Sequence, residues 1–382
     1  MHHAEGESPL ERLVDAARAA TVRDTAQRAL QAGFERVVVM ATDGSAFVGL
    51  DAVEVDIDPV RRPFGARLKT FLTRHAPEGL CYAGSGMPLM TAGNWRGLRD
   101  RIAAGETVAN NLYSSDVLAT PATADLSSIP DELSDNGLAL YLRGEAEIDV
   151  AVLPRSAAAL LDIDTPADLT VLALCREVPH FTIGGALAAV LSVGLSAAVG
   201  AGLPAPDPAM ASGPSRLDTA TGLLTRRGTD VLVIGRVGSA VWQALESETA
   251  TRVRVVSEER GLRSRPDGRA RSLLGFHLGA VGPGQLVEAL AELGDAVFLD
   301  TRPLFAHLQW QPSRADRFAS DAGDWKSIEH AELGAFTRAA VESRVPFVLG
   351  GHSLVSGGLL ALIDAAWARW ELAQGDSARD DD

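Results

Sequence analysis

The sequence predicts an α/β protein of two doubly wound, mostly parallel-sheet domains, and three observations carry that expectation. Its 382 residues exceed the usual size of a single hydrophobic core. Short β-branched runs alternate with segments of helical apolar spacing, the rhythm of strand–helix–strand units. One stretch rich in Pro, Gly, Ser and Ala, 203–229, interrupts that rhythm before it resumes. The expected organisation is a first domain over 1–180, an apolar helix and linker over 181–229, and a second domain over 230–375.

In the first domain a helical segment (10–33) leads into "RVVVMATD" (36–43), a β-branched run that ends in turn residues. "VEVDID" (53–58) is a second short strand, "FGARLKTFLTRH" (64–75) a helix and "GLCYAG" a third strand. Thr91 is placed to cap a helix over 91–105. "AEIDVAVLP" (146–154) reads as a strand. "TPADLTVLALCREV" (165–178) opens with Thr165 as cap and Pro166 at the first helical position.

The second domain begins with strand "DVLVIG" (230–235), helix "SAVWQALES" and strand "RVRVVS" (252–257). Helix 285–293, strand 295–300, helix 332–343, strand 345–351 and helix 356–370 follow. The opening strand, Gly turn and helix give a Rossmann-like start in which a helix N-terminus meets an anion, making Gly235 and Gly238 candidates for cofactor binding. The full G-x-G-x-x-G is not present. Ligands of open α/β sheets sit at strand carboxyl ends, so Asp300, Arg302, His352 and Ser353 are candidate substrate contacts.

Bulk properties narrow the partners. Fifty Asp and Glu against 35 Lys and Arg give a formal charge of −15, which disfavours a nucleic-acid partner. Two cysteines, Cys81 and Cys175, lie in apolar runs and suit reduced thiols in a cytoplasmic protein. The polar start "MHHAEGESPLERL" lacks the apolar core of a secretory signal. Residues 181–204 carry no charge, yet Leu187, Val190, Leu191, Leu195 and Val199 recur at helical spacing. That pattern predicts a buried or interface helix rather than a membrane span, and is compatible with a homo-oligomer.

Two polar clusters mark the first domain. In "LLDIDTPADL" (160–169), Asp162 and Asp164 fall two apart and share a face if extended, a pair suited to Mg²⁺. Arg155, at a strand end, is placed to clamp a phosphate. In "NNLYSSD" (110–116), Asn110, Asn111, Tyr113 and Asp116 form a dense polar set suited to a substrate, or equally to a turn.

"DIDTPADL" resembles the closing motif of nucleotidyltransferase-fold proteins of the molybdenum-cofactor guanylyltransferase and sugar-nucleotidyltransferase type. "VRDTAQRALQAGFERVVVMATD", "SGMPLM" and "ANNLYSSDVLAT" fall in matching order over roughly 8–175. The resemblance implies a nucleotidyltransferase-like first domain, a nucleotide or phosphorylated small-molecule substrate and Mg²⁺. Two departures accompany it. The Gly-rich phosphate loop that opens the family is not found, and Ser85 or Gly86 stands where the family keeps a metal aspartate before Pro-Leu. The alternatives are a non-catalytic binding or assembly protein on that scaffold, or an NAD(P)-dependent activity in the second domain.

Overall fold

The computed structural model describes residues 6–60, 62–121, 123–175, 212–259 and 270–377. They form two compact units. Arg18–Leu160 make the first, while the stretch up to Ala17 groups with the residues from Leu161 onward in the second. Helix α1 (Pro9–Gln31) contributes to both.

In the first unit β1 (Val38–Ala41) and β2 (Glu54–Ile57) pair in parallel as a two-stranded sheet. A second sheet has the order β3 (Leu80–Ala83), β5 (Val117–Thr120), β4 (Thr107–Ala109), β6 (Val150–Val152). Here β5 runs antiparallel to both neighbours and only β4 and β6 are parallel, which departs from the mostly parallel sheet expected. The cause is local. Only residues 110–116 separate β4 from β5, too few for a crossover, so the two strands form a hairpin. Leu118 and Val150 face α2 (Phe64–His75) and, beyond α4 (Thr123–Leu126), α5 (Leu138–Gly144), through Leu68, Leu72, Leu138 and Leu142. Val117 and Ala119, on the alternate face, pack with Met87, Met90, and Trp95 and Leu98 of α3 (Ala92–Ala103). Thr91 caps α3 in a reciprocal capping box with Asn94. The unit ends in the short helix α6 (Ala157–Leu160).

The second unit holds a four-stranded, all-parallel sheet in the order β8 (Arg252–Ser257), β7 (Asp230–Gly235), β9 (Ala296–Asp300), β10 (Phe347–Gly350). Its helices are α7 (Pro166–Leu174), α8 (Ser212–Leu223), α9 (Ser239–Glu248), α10 (Leu273–Ala291), α11 (Arg302–Leu308), α12 (Arg314–Ala322), α13 (Ala331–Glu342) and α14 (Leu359–Ser377). Helix α10 is kinked where Gly282 leaves helical geometry ahead of Pro283. Leu232, Ile234, Val297, Leu299, Phe347 and Leu349 pack on α10 and α13, while Val231, Val233, Phe298 and Val348 are buried on the opposite face. Burial on both faces is why these strands read as continuous apolar runs.

The unit boundary falls earlier than the expected 1–180. Leu161 and Ile163 are fully buried, and α7 packs on α8, α12, α14 and β10, so "DIDTPADL" is built into the second unit. No helix among the described residues is long and apolar enough to cross a membrane. The apolar run 181–204 lies outside the described residues.

Candidate functional site at the strand ends of the second unit

Strand order reverses between β7 and β9, since β7 is followed by β8 on one side and β9 by β10 on the other. The carboxyl ends at such a reversal diverge into a ligand-binding crevice. Gly235, the last residue of β7, has φ +139°, and a Cβ there would lie 2.4 Å from Cβ of Asp300. Glycine is thus required so that Asp300, the last residue of β9, can close over it. Asp300 is 1% exposed. Arg236 meets it as a fork, Nε donating to Oδ2 at 2.6 Å and Nη2 to Oδ1 at 3.1 Å. The Arg302 backbone N–H donates to the same Oδ1 at 3.1 Å. Bidentate pairing fixes the plane of the guanidinium. Nη1 of Arg236 has no hydrogen-bond partner among the described residues, and the side chain stays 19% exposed.

Behind this pair lies a second one. Arg302 forks onto Asp321 of α12 at 3.1 and 2.6 Å and also donates to the Thr301 hydroxyl at 2.7 Å. Burial would lower the pKa of Arg302, but Asp321, Asp300 and Asp168 hold it up. Gly351, in the turn after β10, sits beside Thr165 and the Arg302 guanidinium. His352 is half-buried in that turn. The Ser353 hydroxyl donates to the Asp162 carbonyl at 2.8 Å and accepts from the Asp162 N–H at 3.2 Å, so it clamps Asp162 backbone instead of acting on a ligand.

Asp162 and Asp164 alternate with buried Leu161 and Ile163, but the Asp164 N–H donates to the Asp162 carbonyl at 3.1 Å, a tight turn in place of the extended run expected; Asp164 is exposed and Asp162 half-buried. The buried acid of this segment is Asp168. Its Oδ2 accepts from the Asp164 N–H (3.0 Å), the Thr165 N–H (2.8 Å) and the Thr165 hydroxyl (3.0 Å), while Oδ1 is buried without a partner. Burial, then the Asp164 charge, pushes Asp168 up to about 7 against those hydrogen bonds. Among the described residues no three His, Cys, Asp or Glu side chains gather as metal ligands. Two carboxylates fit Mg²⁺ only where water and substrate phosphate supply the other ligands.

Gly238 is the N-cap of α9, its carbonyl accepting from the Val241 and Trp242 N–H groups. The acids that follow β8 are turned to α10: Glu258 accepts from the Ser272 hydroxyl (2.7 Å) and the Leu274 N–H (3.2 Å), and Glu259 from the Arg271 N–H.

The first-unit candidates are separate. Asn110 is 2% exposed, and all four hydrogen-bonding positions of its amide are filled, by the Asp116 and Val117 N–H groups, the Asp116 carboxylate and the Ala159 carbonyl. It fastens the β4–β5 hairpin. The Asn111 side chain accepts from the Tyr113 N–H in an Asx turn, leaving Tyr113 75% exposed. Arg155 is exposed in the turn after β6. At "SGMPLM", Arg18 of α1 donates to the buried Ser85 hydroxyl at 3.0 Å, and Arg28 donates to the Pro88 and Met90 carbonyls at 3.0 and 2.7 Å.

The structure therefore gathers Gly235, Asp300, Arg302, Ser353 and Asp162 along one sheet edge. Asp321, from the polar run 313–321, joins them, as do Arg236 and Asp168, which the sequence does not single out. An arginine directly after a strand-ending glycine was the legible signal for Arg236. No protein-family model and no curated protein matches the chain.

Proposed function

We propose that the second unit binds a phosphate-bearing small molecule, a nucleotide or a phosphorylated metabolite, in the crevice where β7 and β9 diverge. The observation that carries this reading is the Arg236–Asp300 fork at the strand-order reversal, which engages Nε and Nη2 and leaves Nη1 of a partly exposed guanidinium for a ligand. A ligand anion adds to Arg236 without removing Asp300, so no buried carboxylate is stranded. Asp162 and Asp164 are the residues we assign to a Mg²⁺ ion accompanying the phosphates. An NAD(P) ligand is less well supported, because Glu258 and Glu259, the acids after β8 among the described residues, hold the start of α10.

A second reading concerns the first unit: a nucleotidyltransferase-like scaffold without its reaction, in a cytoplasmic binding protein. Ser85 supports it, since a guanidinium engages its side chain where Ser85 or Gly86 replaces the metal carboxylate of the resembling family, and like charges repel. Titration calorimetry with AMP, ADP and ATP, with and without Mg²⁺, tests the main reading. Wild type should bind at least one of them, and the double variant R236Q/D300N, which strands neither charge, should lose tenfold or more. Equal binding by both proteins removes Arg236 from the site.

A further inference from the structure

A second anion site, independent of the crevice, lies on the first unit. Between Asp58 and Glu78 the chain carries five Arg or Lys residues and no acid, against a net charge of −15 overall. Helix α2 turns part of this run into a shallow groove of about 680 Å³, open to solvent, lined by Arg62, Ala66, Lys69, Thr70, Thr73, Arg74 and Asp131. That size suits a small-molecule ligand. The Arg62 Nη1 donates to the Thr70 hydroxyl at 3.2 Å, which sets its orientation, and its Nε–H is buried without an acceptor.

The groove's counter-ions are weakly held or shared. Lys69 pairs with Asp131, whose side chain is 60% exposed. Arg74, half exposed, pairs with Asp56. Asp58 divides one carboxylate oxygen between Arg62 (2.9 Å) and Arg67 (3.4 Å). Only the Lys69–Asp131 pair has an exposed acid, so a ligand of higher charge density displaces Asp131 there, while it adds to Arg62 and Arg74 without removing their buried carboxylates. Lys69 and Arg74 stand about 7.5 Å apart along the helix axis, too far to converge fully on one phosphate. We propose that this groove binds a small oligophosphate, the shared chemistry of a free polyphosphate and of a nucleotide's phosphate chain.

Calorimetry with tripolyphosphate in 150 mM NaCl is the test, with orthophosphate and ATP as comparison arms. Wild type should bind tripolyphosphate at one site and orthophosphate at least tenfold more weakly. In the R236Q/D300N background, where the crevice no longer contributes, a tighter ATP than tripolyphosphate response assigns the nucleotide source. K69Q/R74Q should weaken binding tenfold or more, whereas D131N, which removes only the exposed competitor, should tighten it severalfold. That gain cannot come from unfolding. R236Q/D300N should leave this binding unchanged, which separates it from the crevice. Unchanged affinity in K69Q/R74Q, or no binding by wild type at millimolar tripolyphosphate, would overturn the proposal.

Discussion

Asp168 shows how a residue that looks like a solvated acid becomes a buried one. Its ordinary pKa is about 4, and burial beside Asp164 raises it to about 7 in the folded chain. The folded state therefore binds a proton more tightly than the unfolded state. The resulting stability is present in full below about pH 4 and lost as pH rises through 7. Asp168→Asn keeps an acceptor at Oδ2 and removes the charge. Urea denaturation from pH 5 to 8 should show wild type losing stability relative to the variant; parallel curves would place Asp168 in a more solvated setting. Gly235 makes a second residue-scale prediction. With φ +139° and Asp300 Cβ at 2.4 Å, Gly235→Ala should cost about 2–4 kcal/mol in denaturant unfolding. The sequence marked Gly235 as a cofactor contact, but its immediate duty is to admit Asp300.

At the scale of elements, the legible parts are those whose signals are local. Strands β7 and β8 fall where their β-branched runs place them, and α3 and α7 start at their Thr caps. Thr91→Ala should therefore cost about 1 kcal/mol. The β4–β5 hairpin was less legible. Its strands are short, and Asn110 and Asp116 look like ligand-binding groups until the Asn110 amide is seen tying the two strands together. "DIDTPADL" was legible as a capped helix, but its packing partners are distant in sequence, so its membership of the second unit was not. Ser353 clamps that segment from the turn after β10. Ser353→Ala should speed amide exchange at Asp162 at least tenfold while leaving β10 protected, as read by hydrogen exchange with mass spectrometry.

For the whole molecule, the two units differ in how much chemistry they display. The first carries a mixed sheet whose expected polar clusters serve its own turns. The second carries an all-parallel sheet with paired charges at its carboxyl edge, the side of such sheets where ligands bind. The alternation of strands and helices made that sheet predictable. The pairing of Arg236 with Asp300, 64 residues apart, was not, because only the parallel register brings β7 and β9 together. Hydrogen exchange with and without saturating nucleotide locates the ligand site on this edge directly. Protection should concentrate at residues 235–238, 300–302 and 350–353. Protection confined to other segments, with these three turns unchanged, would contradict it.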